Sequence, residues 1–354
     1  MDAYFCSLNI HEQYMQRCLQ LAALGAGLVA PNPMVGAVLV YDNRIIGQGY
    51  HEKFGEAHAE VNCINSVAEA DKNFIGQSTL YVSLEPCAHF GKTPPCADLI
   101  IENEIPNVII GCSDIFEKVA GKGIEKLKAA GVHVTVDILK TECLELNKRF
   151  FIFHKKKRPY IILKWAQSSD GKIGGTNGER IFISNEFTNR LVHKWRAEEA
   201  AILVGTNTAL QDDPALTARL WPGNHPVRLV IDTSLKLPLH LKLFDGTVKT
   251  ILFNFSKQAE EDNLVYYKLK KEENIPKKIA TALYSLNILS VIVEGGAKLL
   301  QSFIDAGFWD EARVITNSNL IIGEGLDAPV LKNSSLILQQ EIKNDNIEYR
   351  KHDK

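Results

Sequence analysis

The chain has 354 residues and a mass of 39.5 kDa, with 45% hydrophobic and 23% charged residues. That is the balance of a globular protein with enough apolar residues for two cores rather than one. Forty basic residues against 42 acidic ones give a net charge of −2, which excludes the broad surplus of Lys and Arg that nucleic acid demands. No apolar run approaches the roughly 18 residues of a membrane span. The opening MDAYFCSLNIHEQYMQ carries acids where a signal peptide has its basic segment, so the expected location is the cytoplasm.

The first half alternates helical and strand patterns. A helix is predicted over 11–27, stopped by Pro31-Asn32-Pro33, since proline breaks a helix. Two strands, 34–40 and 44–50, flank the polar turn Tyr41-Asp42-Asn43,. There follow a helix over 57–70, a strand over 79–84, a loop rich in Pro and Gly, and a helix over 96–104. A strand over 107–112, a helix over 123–130, a strand over 132–136 and a helix over 141–151 complete this half. Repeated units of this length argue for a layered α/β domain. The segment HKKKRP at 154–159 reads as a solvated linker, dividing the chain into domains at 1–152 and 158–354. Beyond it, strands are predicted at 160–165, 200–205, 227–232, 250–253, 265–268, 290–294 and 312–316, with two more near 336–342 and 346–350.

Cysteine usage is uneven: Cys6, Cys18, Cys63, Cys87, Cys96, Cys112 and Cys143 all fall in the first half. An odd number without an export signal argues against a disulfide framework. Three residues point to chemistry: His58, in His58-Ala59-Glu60 at a helix start, and Cys87 and Cys96 after the next strand. One imidazole and two thiolates leave the fourth position of a tetrahedral Zn²⁺ open, as a catalytic site needs. The metal lowers the pKa of a water there toward about 7, and Glu60, beside the metal without binding it, can shuttle the proton. The bland alternative is a closed structural site with His89 as fourth ligand.

This pattern resembles the zinc-dependent nucleobase deaminases, whose signature is H-x-E followed by P-C-x-x-C, except that eight residues separate Cys87 from Cys96. The long loop Pro86-Cys87-Ala88-His89-Phe90-Gly91-Lys92-Thr93-Pro94-Pro95-Cys96, with Pro31-Asn32-Pro33-Met34-Val35-Gly36 and Gly49-Tyr50-His51, resembles the bifunctional deaminase/reductase of riboflavin biosynthesis. The resemblance implies a phosphorylated pyrimidine substrate met by Asn32, His51, His89 and Lys92. The chain departs from that family at Asp114-Ile115-Phe116-Glu117, where aspartate-proline-asparagine-proline is usual, and at Ala30, where histidine is common.

The second half has no G-x-G-x-x-G, so no Rossmann fingerprint is present. Instead Val291-Ile292-Val293-Glu294 runs through Gly295 and Gly296 into a helix opening with Ala297 and Lys298. Such a turn lets backbone N–H groups approach a phosphate. The stretch 163–173 and the stretch 206–219 resemble the reductase half of the same family. By that resemblance Ala166, Phe182, Thr208, Asp212, Thr233 and Gly295–Lys298 face NADPH, while Arg180, Arg196, Leu216, Arg219 and Glu294 face the substrate. Arg196 and Arg219 are the expected phosphate clamps, because a guanidinium binds phosphate through two parallel hydrogen bonds.

The expectation is therefore an α/β protein: a cytidine-deaminase-like α/β/α domain followed by a dihydrofolate-reductase-like domain, using zinc and NADPH. It would deaminate 2,5-diamino-6-(5-phosphoribosylamino)pyrimidin-4-one and then reduce the ribosyl group of 5-amino-6-(5-phosphoribosylamino)uracil to ribityl. The resemblance also implies a homo-oligomer, with neither nucleic acid nor membrane as partner. Two other readings compete: a nucleoside or tRNA deaminase with an inactive second half, and a zinc-stabilised nucleotide-binding module without turnover.

Overall fold

The structure, a computed structural model, describes residues 8–90, 94–115, 121–176, 181–271 and 274–353. Cys6, Lys92, Phe116, Glu117 and Arg180 lie outside the described residues. The chain divides into two compact units, Met1–Lys156 and Lys157–Lys354.

The first unit is a five-stranded sheet in the order β2-β1-β3-β4-β5. Its strands are β1 (Gly36–Tyr41), β2 (Arg44–Tyr50), β3 (Thr79–Leu84), β4 (Asn107–Cys112) and β5 (His133–Thr135). β1 runs antiparallel to both β2 and β3, while β3, β4 and β5 run parallel. The helices are α1 (Ile10–Ala23), α2 (Ala59–Asn65), α3 (Cys96–Glu102), α4 (Lys122–Ala129), α5 (Lys140–Leu146) and α6 (Lys148–Lys156). Leu39, Leu80, Val82, Ile100, Val108, Ile110 and Leu127 pack the core on one face of the sheet. A capping box starts α1: Asn9 accepts from the backbone of Glu12, and Glu12 accepts from Asn9 N at 2.9 Å,.

Three expected helices come out differently. α1 stops at Ala23 rather than 27, because two glycines within Leu24–Gly27 make continued helix costly. The 57–70 helix ends at Asn65, and a 3₁₀ turn covers Glu69–Gln77. The Ser66 hydroxyl closes it, donating to Cys63 O at 2.7 Å while accepting from Gln48 N at 2.8 Å. The 141–151 helix is two helices that meet at Asn147, whose amide is committed to Met34 N and Met34 O at 2.8 Å each.

The second unit holds a ten-stranded sheet in the order β11-β12-β10-β9-β8-β13-β6-β14-β17-β16. Its central strands are β6 (Tyr160–Ser168), β8 (Ala201–Gly205), β9 (Val227–Ile231), β10 (Thr250–Asn254), β12 (Leu264–Lys268), β13 (Ser290–Val293) and β14 (Glu311–Asn317). These run parallel to their neighbours within this set. The edges are antiparallel: β11 (Ala259–Glu261) on one side, β17 (Asp345–His352) and β16 (Ser334–Ile342) on the other. A small ribbon pairs β7 (Lys172–Gly175) with β15 (Gly325–Asp327). Four helices, α7 (Glu186–Glu198), α8 (Thr206–Asp212), α9 (Ile275–Ser285) and α10 (Ala297–Asp305), complete the unit.

Both faces of this sheet are covered. Leu163, Leu203, Leu229, Phe253 and Val291 enter one apolar cluster, and Ile202, Val204, Val230 and Leu252 enter another. Continuous apolar runs such as AILV and SVIV are what a parallel sheet buried on both faces requires. Among the described residues no helix is long and apolar enough to cross a membrane.

HKKKRP carries the boundary between the units, and Lys155, Lys156 and Lys157 are exposed, but it is not a free linker. α6 continues through Lys156, and Arg158 is built into the second unit. Its guanidinium pairs with Asp310 at 2.6 and 2.7 Å, and Asp310 Oδ2 also accepts from Ile161 N at 3.0 Å. The Asp310 side chain is 4% exposed. Removing one partner of a buried pair strands the other charge, at a cost of about 3 kcal/mol. Asp310→Ala is therefore expected to destabilise the second unit by about that amount. All four tryptophans, Trp165, Trp195, Trp221 and Trp309, belong to this unit, so urea unfolding followed by tryptophan fluorescence reads it alone. An unchanged midpoint would mean the pair is solvated.

Candidate functional sites

In the first unit, three elements converge at one end of the sheet. His58 is the N-cap of α2, Cys96 is the first residue of α3, and Cys87 lies in the loop leaving β3. α2 reaches this place because it lies backbone to backbone on β2. A Cβ on Gly49 would stand 2.4 Å from Cys63 N, so no larger residue allows that approach. His58 Nδ1 lies 3.3 Å from Cys96 Sγ and 3.7 Å from Cys87 Sγ. Tetrahedral zinc, with Zn–S of about 2.3 Å and Zn–N of about 2.0 Å, spaces nitrogen and sulfur by about 3.5 Å, so these residues fit the ion. Among the described residues this is the one cluster of metal-binding type, and it contains neither Glu60 nor His89.

Charge makes the same point. The Cys87 thiol is pushed down to about 4, chiefly by its contact with Cys96 and then by His58. The Cys96 thiol is pushed up, chiefly by its contact with Cys87. A divalent cation held there would let both thiols ionise. Glu60 is 3% exposed, and burial, then the charge on Cys87, raises its pKa. It is thus a carboxyl disposed to hold a proton near the metal position.

The expected substrate residues divide. Asn32 and His51 come together, with Asn32 Nδ2 at 3.2 Å from His51 Nε2. His51 is 2% exposed and its Nδ1 lies 2.9 Å from Ala57 O. A carbonyl only accepts, so Nδ1 carries the hydrogen and Nε2 accepts from the Asn32 amide. Burial lowers the His51 pKa, in keeping with a neutral ring. His89 has a buried Nδ1 with no hydrogen-bond partner among the described residues. Lys92 lies outside the described residues. Asn147 was not foreseen: it holds the loop that carries Asn32, and no signal in the sequence marks it.

In the second unit the expected residues gather at the carboxyl ends of parallel strands. Ala166 lies on β6, Thr208 on α8 directly after β8, Thr233 after β9, and Gly295–Lys298 after β13. Open parallel sheets bind ligands in the crevice at such ends. Gly205 N donates to Gly295 O at 3.0 Å, and Thr208 Oγ1 lies 3.2 Å from where a Cβ on Gly296 would stand. Thr208 and the glycine turn are therefore in contact. The Gly295–Gly296 peptide is cis. Phe182 is 78% exposed. Asp213 ends α8 in the left-handed region, so Asp212-Asp213-Pro214 closes a helix rather than opening one.

Arg196 is not a free phosphate clamp. Its guanidinium is buried and bound to Glu294 at 2.9 and 2.7 Å, with Nη1 donating to Thr217 O at 3.3 Å. Arg219, by contrast, is exposed. Leu216 is buried, with a positive φ. Burial opposes the charge on Glu294, yet Arg196 and then Lys164 hold its pKa down at about 2. Lys164 Nζ lies 3.8 Å from Glu294 Oε2, and the two side chains are 13% and 8% exposed. Burial lowers the Lys164 pKa against the attraction of Glu294. His193 is pushed down to about 4 by burial, then by Arg196 and Arg219, so its ring is neutral. Lys164 went unremarked in the sequence, although a lone cation inside the apolar strand YIILKW was the signal that marks it. Arg180 lies outside the described residues.

Comparison with known proteins agrees with both units. Residues 159–350 match the RibD C-terminal domain, and residues 8–112 match the cytidine and deoxycytidylate deaminase zinc-binding region. The riboflavin biosynthesis protein RibD of Aquifex aeolicus is 40% identical over 324 residues, covering 90% of this chain and 89% of its own. That of Escherichia coli is 34% identical over 332 residues, covering 88% of each. A solved structure from Thermotoga maritima, a diaminohydroxyphosphoribosylaminopyrimidine deaminase/5-amino-6-(5-phosphoribosylamino)uracil reductase, aligns with a TM-score of 0.88 at 35% identity. It covers 97% of this chain and 99% of its own. With identity sustained across both units, the chain belongs to the RibD family of riboflavin biosynthesis proteins.

Proposed function

We propose that the chain catalyses two successive steps of riboflavin biosynthesis. The first unit deaminates 2,5-diamino-6-(5-phosphoribosylamino)pyrimidin-4-one, and the second reduces the ribosyl group of the resulting 5-amino-6-(5-phosphoribosylamino)uracil to ribityl with NADPH. The observation that carries this reading is the His58, Cys87 and Cys96 cluster with buried Glu60 beside it, in a chain whose second unit matches the RibD C-terminal domain. A structural zinc site has no use for a proton-holding carboxyl there, and a nucleoside deaminase has none for an intact second unit.

Zinc, when bound by His58, Cys87 and Cys96, supplies a Lewis acid that brings the pKa of a water toward about 7. Glu60 carries two protons in turn: the first from the attacking water to the pyrimidine ring nitrogen, the second from the newly added hydroxyl to the departing ammonia. Neutral His51 orients the Asn32 amide, whose remaining oxygen and N–H read the polar edge of the pyrimidine. In this reading His89, with its orphaned Nδ1, and Lys92 meet the phosphorylated part of the substrate. The usual family segment that here reads Asp114-Ile115-Phe116-Glu117 contributes no metal ligand in this reading.

NADPH, when bound along Ala166, Phe182, Thr208, Asp212, Thr233 and the Gly295–Lys298 turn, supplies hydride. Opening of the ribose and hydride addition at its first carbon leave a sugar oxygen that needs a proton. Lys164 Nζ, buried and held by Glu294, is the group we assign to deliver it. Arg180 and Arg219 bind the phosphate, and Leu216 packs the pyrimidine. Arg196 fixes Glu294 rather than the phosphate itself.

In this reading the enzyme works in the cytoplasm, where free thiols persist, and as a homo-oligomer. The edge strand β16 leaves Leu336, Ile337 and Leu338 at 48%, 54% and 55% exposed, and an apolar sheet edge invites a partner.

Purified protein with zinc and the diaminopyrimidinone substrate is expected to yield a product heavier by about 1 Da as amine becomes oxygen, and by about 2 Da more once NADPH supplies hydride. Mass spectrometry reads both steps; no change in either condition with zinc present would overturn the assignment. Glu60→Gln is expected to retain zinc by metal analysis while ammonia release falls about 10²- to 10⁴-fold. Loss of the metal together with activity would make Glu60 structural. Lys164→Met is expected to slow reduction by a similar 10²- to 10⁴-fold while deamination and NADPH-induced quenching of tryptophan fluorescence stay unchanged. Undiminished reduction would remove Lys164 from the proton path.

A further inference from the structure

Glu85 directly follows the apolar strand β3 and is 4% exposed, an unusual place for an acid. Among the described residues its carboxylate accepts four backbone N–H groups. Oε2 accepts from Asp114 N and Gly121 N at 3.1 Å each, and Oε1 accepts from Gly123 N at 3.0 Å and Ile124 N at 3.3 Å. Both oxygens are thereby saturated by N–H groups that would otherwise be orphans, two of them at the start of α4.

The peptide that follows is pressed onto that helix. A Cβ on Gly123 would stand 2.0 Å from Pro86 O, so the Pro86 carbonyl occupies the space a side chain there would need. Cys87 comes next, and its far side is also held: Cys87 O accepts from Ala97 N at 3.1 Å, and Cys87 Sγ accepts from Cys96 N at 3.3 Å. The loop between Glu85 and Cys96 contains a metal ligand whose sulfur must be placed to within tenths of an ångström, yet no strand or helix carries Cys87. Its upstream support is the Glu85 clamp.

We propose that Glu85 is a positioning residue of the metal centre: by gathering four backbone N–H groups it locks Pro86 against α4 and so sets where the Cys87 sulfur meets His58 and Cys96. This rests on the reading of those three residues as the zinc site. Glu85 grips Asp114 and Gly121 through backbone N–H groups, which any residue except proline provides. Glutamine at position 85 would turn an N–H₂ group toward two N–H donors, losing two of the four bonds and opposing the rest.

The test uses the full-length protein as Glu85→Gln and, separately, Gly123→Ala, which displaces the same peptide with the carboxylate intact. Zinc release to a chromophoric chelator, the thiolate-to-metal charge-transfer band of the cobalt-loaded protein, and deaminase kcat and KM are measured. Tryptophan fluorescence and reduction by NADPH control for the second unit. Both variants are expected to lose about 10- to 100-fold in zinc affinity, to shift the cobalt band and to lower kcat more than KM, with reduction unchanged. A folded Glu85→Gln protein that releases zinc at the parental rate with an unshifted cobalt band would overturn the proposal and leave Glu85 a residue of the fold alone. Should that variant fail to fold, Gly123→Ala decides by the same readouts. A parental protein that binds no zinc would overturn the zinc reading itself.

Discussion

The first unit is organised around a charge that the protein alone does not balance. Two thiols, an imidazole and a buried carboxyl converge at one end of the sheet, and every one of the acidic groups would be an anion in water at high enough pH. Burial makes three such anions side by side very costly. The three acidic groups respond differently: the neighbouring thiol and burial push Cys96 up, burial raises Glu60, and the contact with Cys96 and His58 drives Cys87 down. A divalent cation changes the balance, because both sulfurs can then ionise onto it. Glu60 becomes the remaining group able to exchange a proton. The chemistry proposed for it follows from that competition rather than from its proximity alone.

The rest of the unit serves the convergence. β2 carries glycine where α2 must approach, so His58 can cap the helix at the right height. Asn147 breaks what would have been one long helix and uses its amide to hold Met34, two residues from Asn32. His51 is fixed in one tautomer by Ala57 O, and Ala57 adjoins the ligand His58. His51 and the metal-cluster residue His58 are therefore tied to one short piece of backbone.

The second unit solves a related problem with the opposite sign. Glu294 is an isolated carboxylate at the end of a buried parallel strand, and Arg196 and Lys164 compensate it. Arg196 does so through two short hydrogen bonds and is fully committed. Lys164, at 3.8 Å, is held less tightly, and burial lowers its pKa, which suits the proton-donor role proposed for it. The two cations around one acid differ in role because guanidinium keeps its proton at any working pH and an ammonium need not.

Much of this was legible beforehand. Strands over 79–84 and 107–112 needed no correction, because continuous apolar runs bounded by turn residues leave few alternatives. The metal ligands were legible because their residue types and order carry the chemistry. The segment at 154–159 carries the boundary between the units, but composition alone cannot reveal that Arg158 finds Asp310, 152 positions away. The pairing of Arg196 with Glu294 is illegible for the same reason: whether a guanidinium meets phosphate or a carboxylate is decided by what folds beside it. The sequence by itself determined the ligand set, the two-part organisation and the elements whose apolar periodicity is strong. Only the tertiary structure decided the partners of Glu85, Asn147, Arg158, Arg196 and Lys164. Hydrogen bonds and ion pairs depend on positions in space to within an ångström, and chain spacing does not encode that distance.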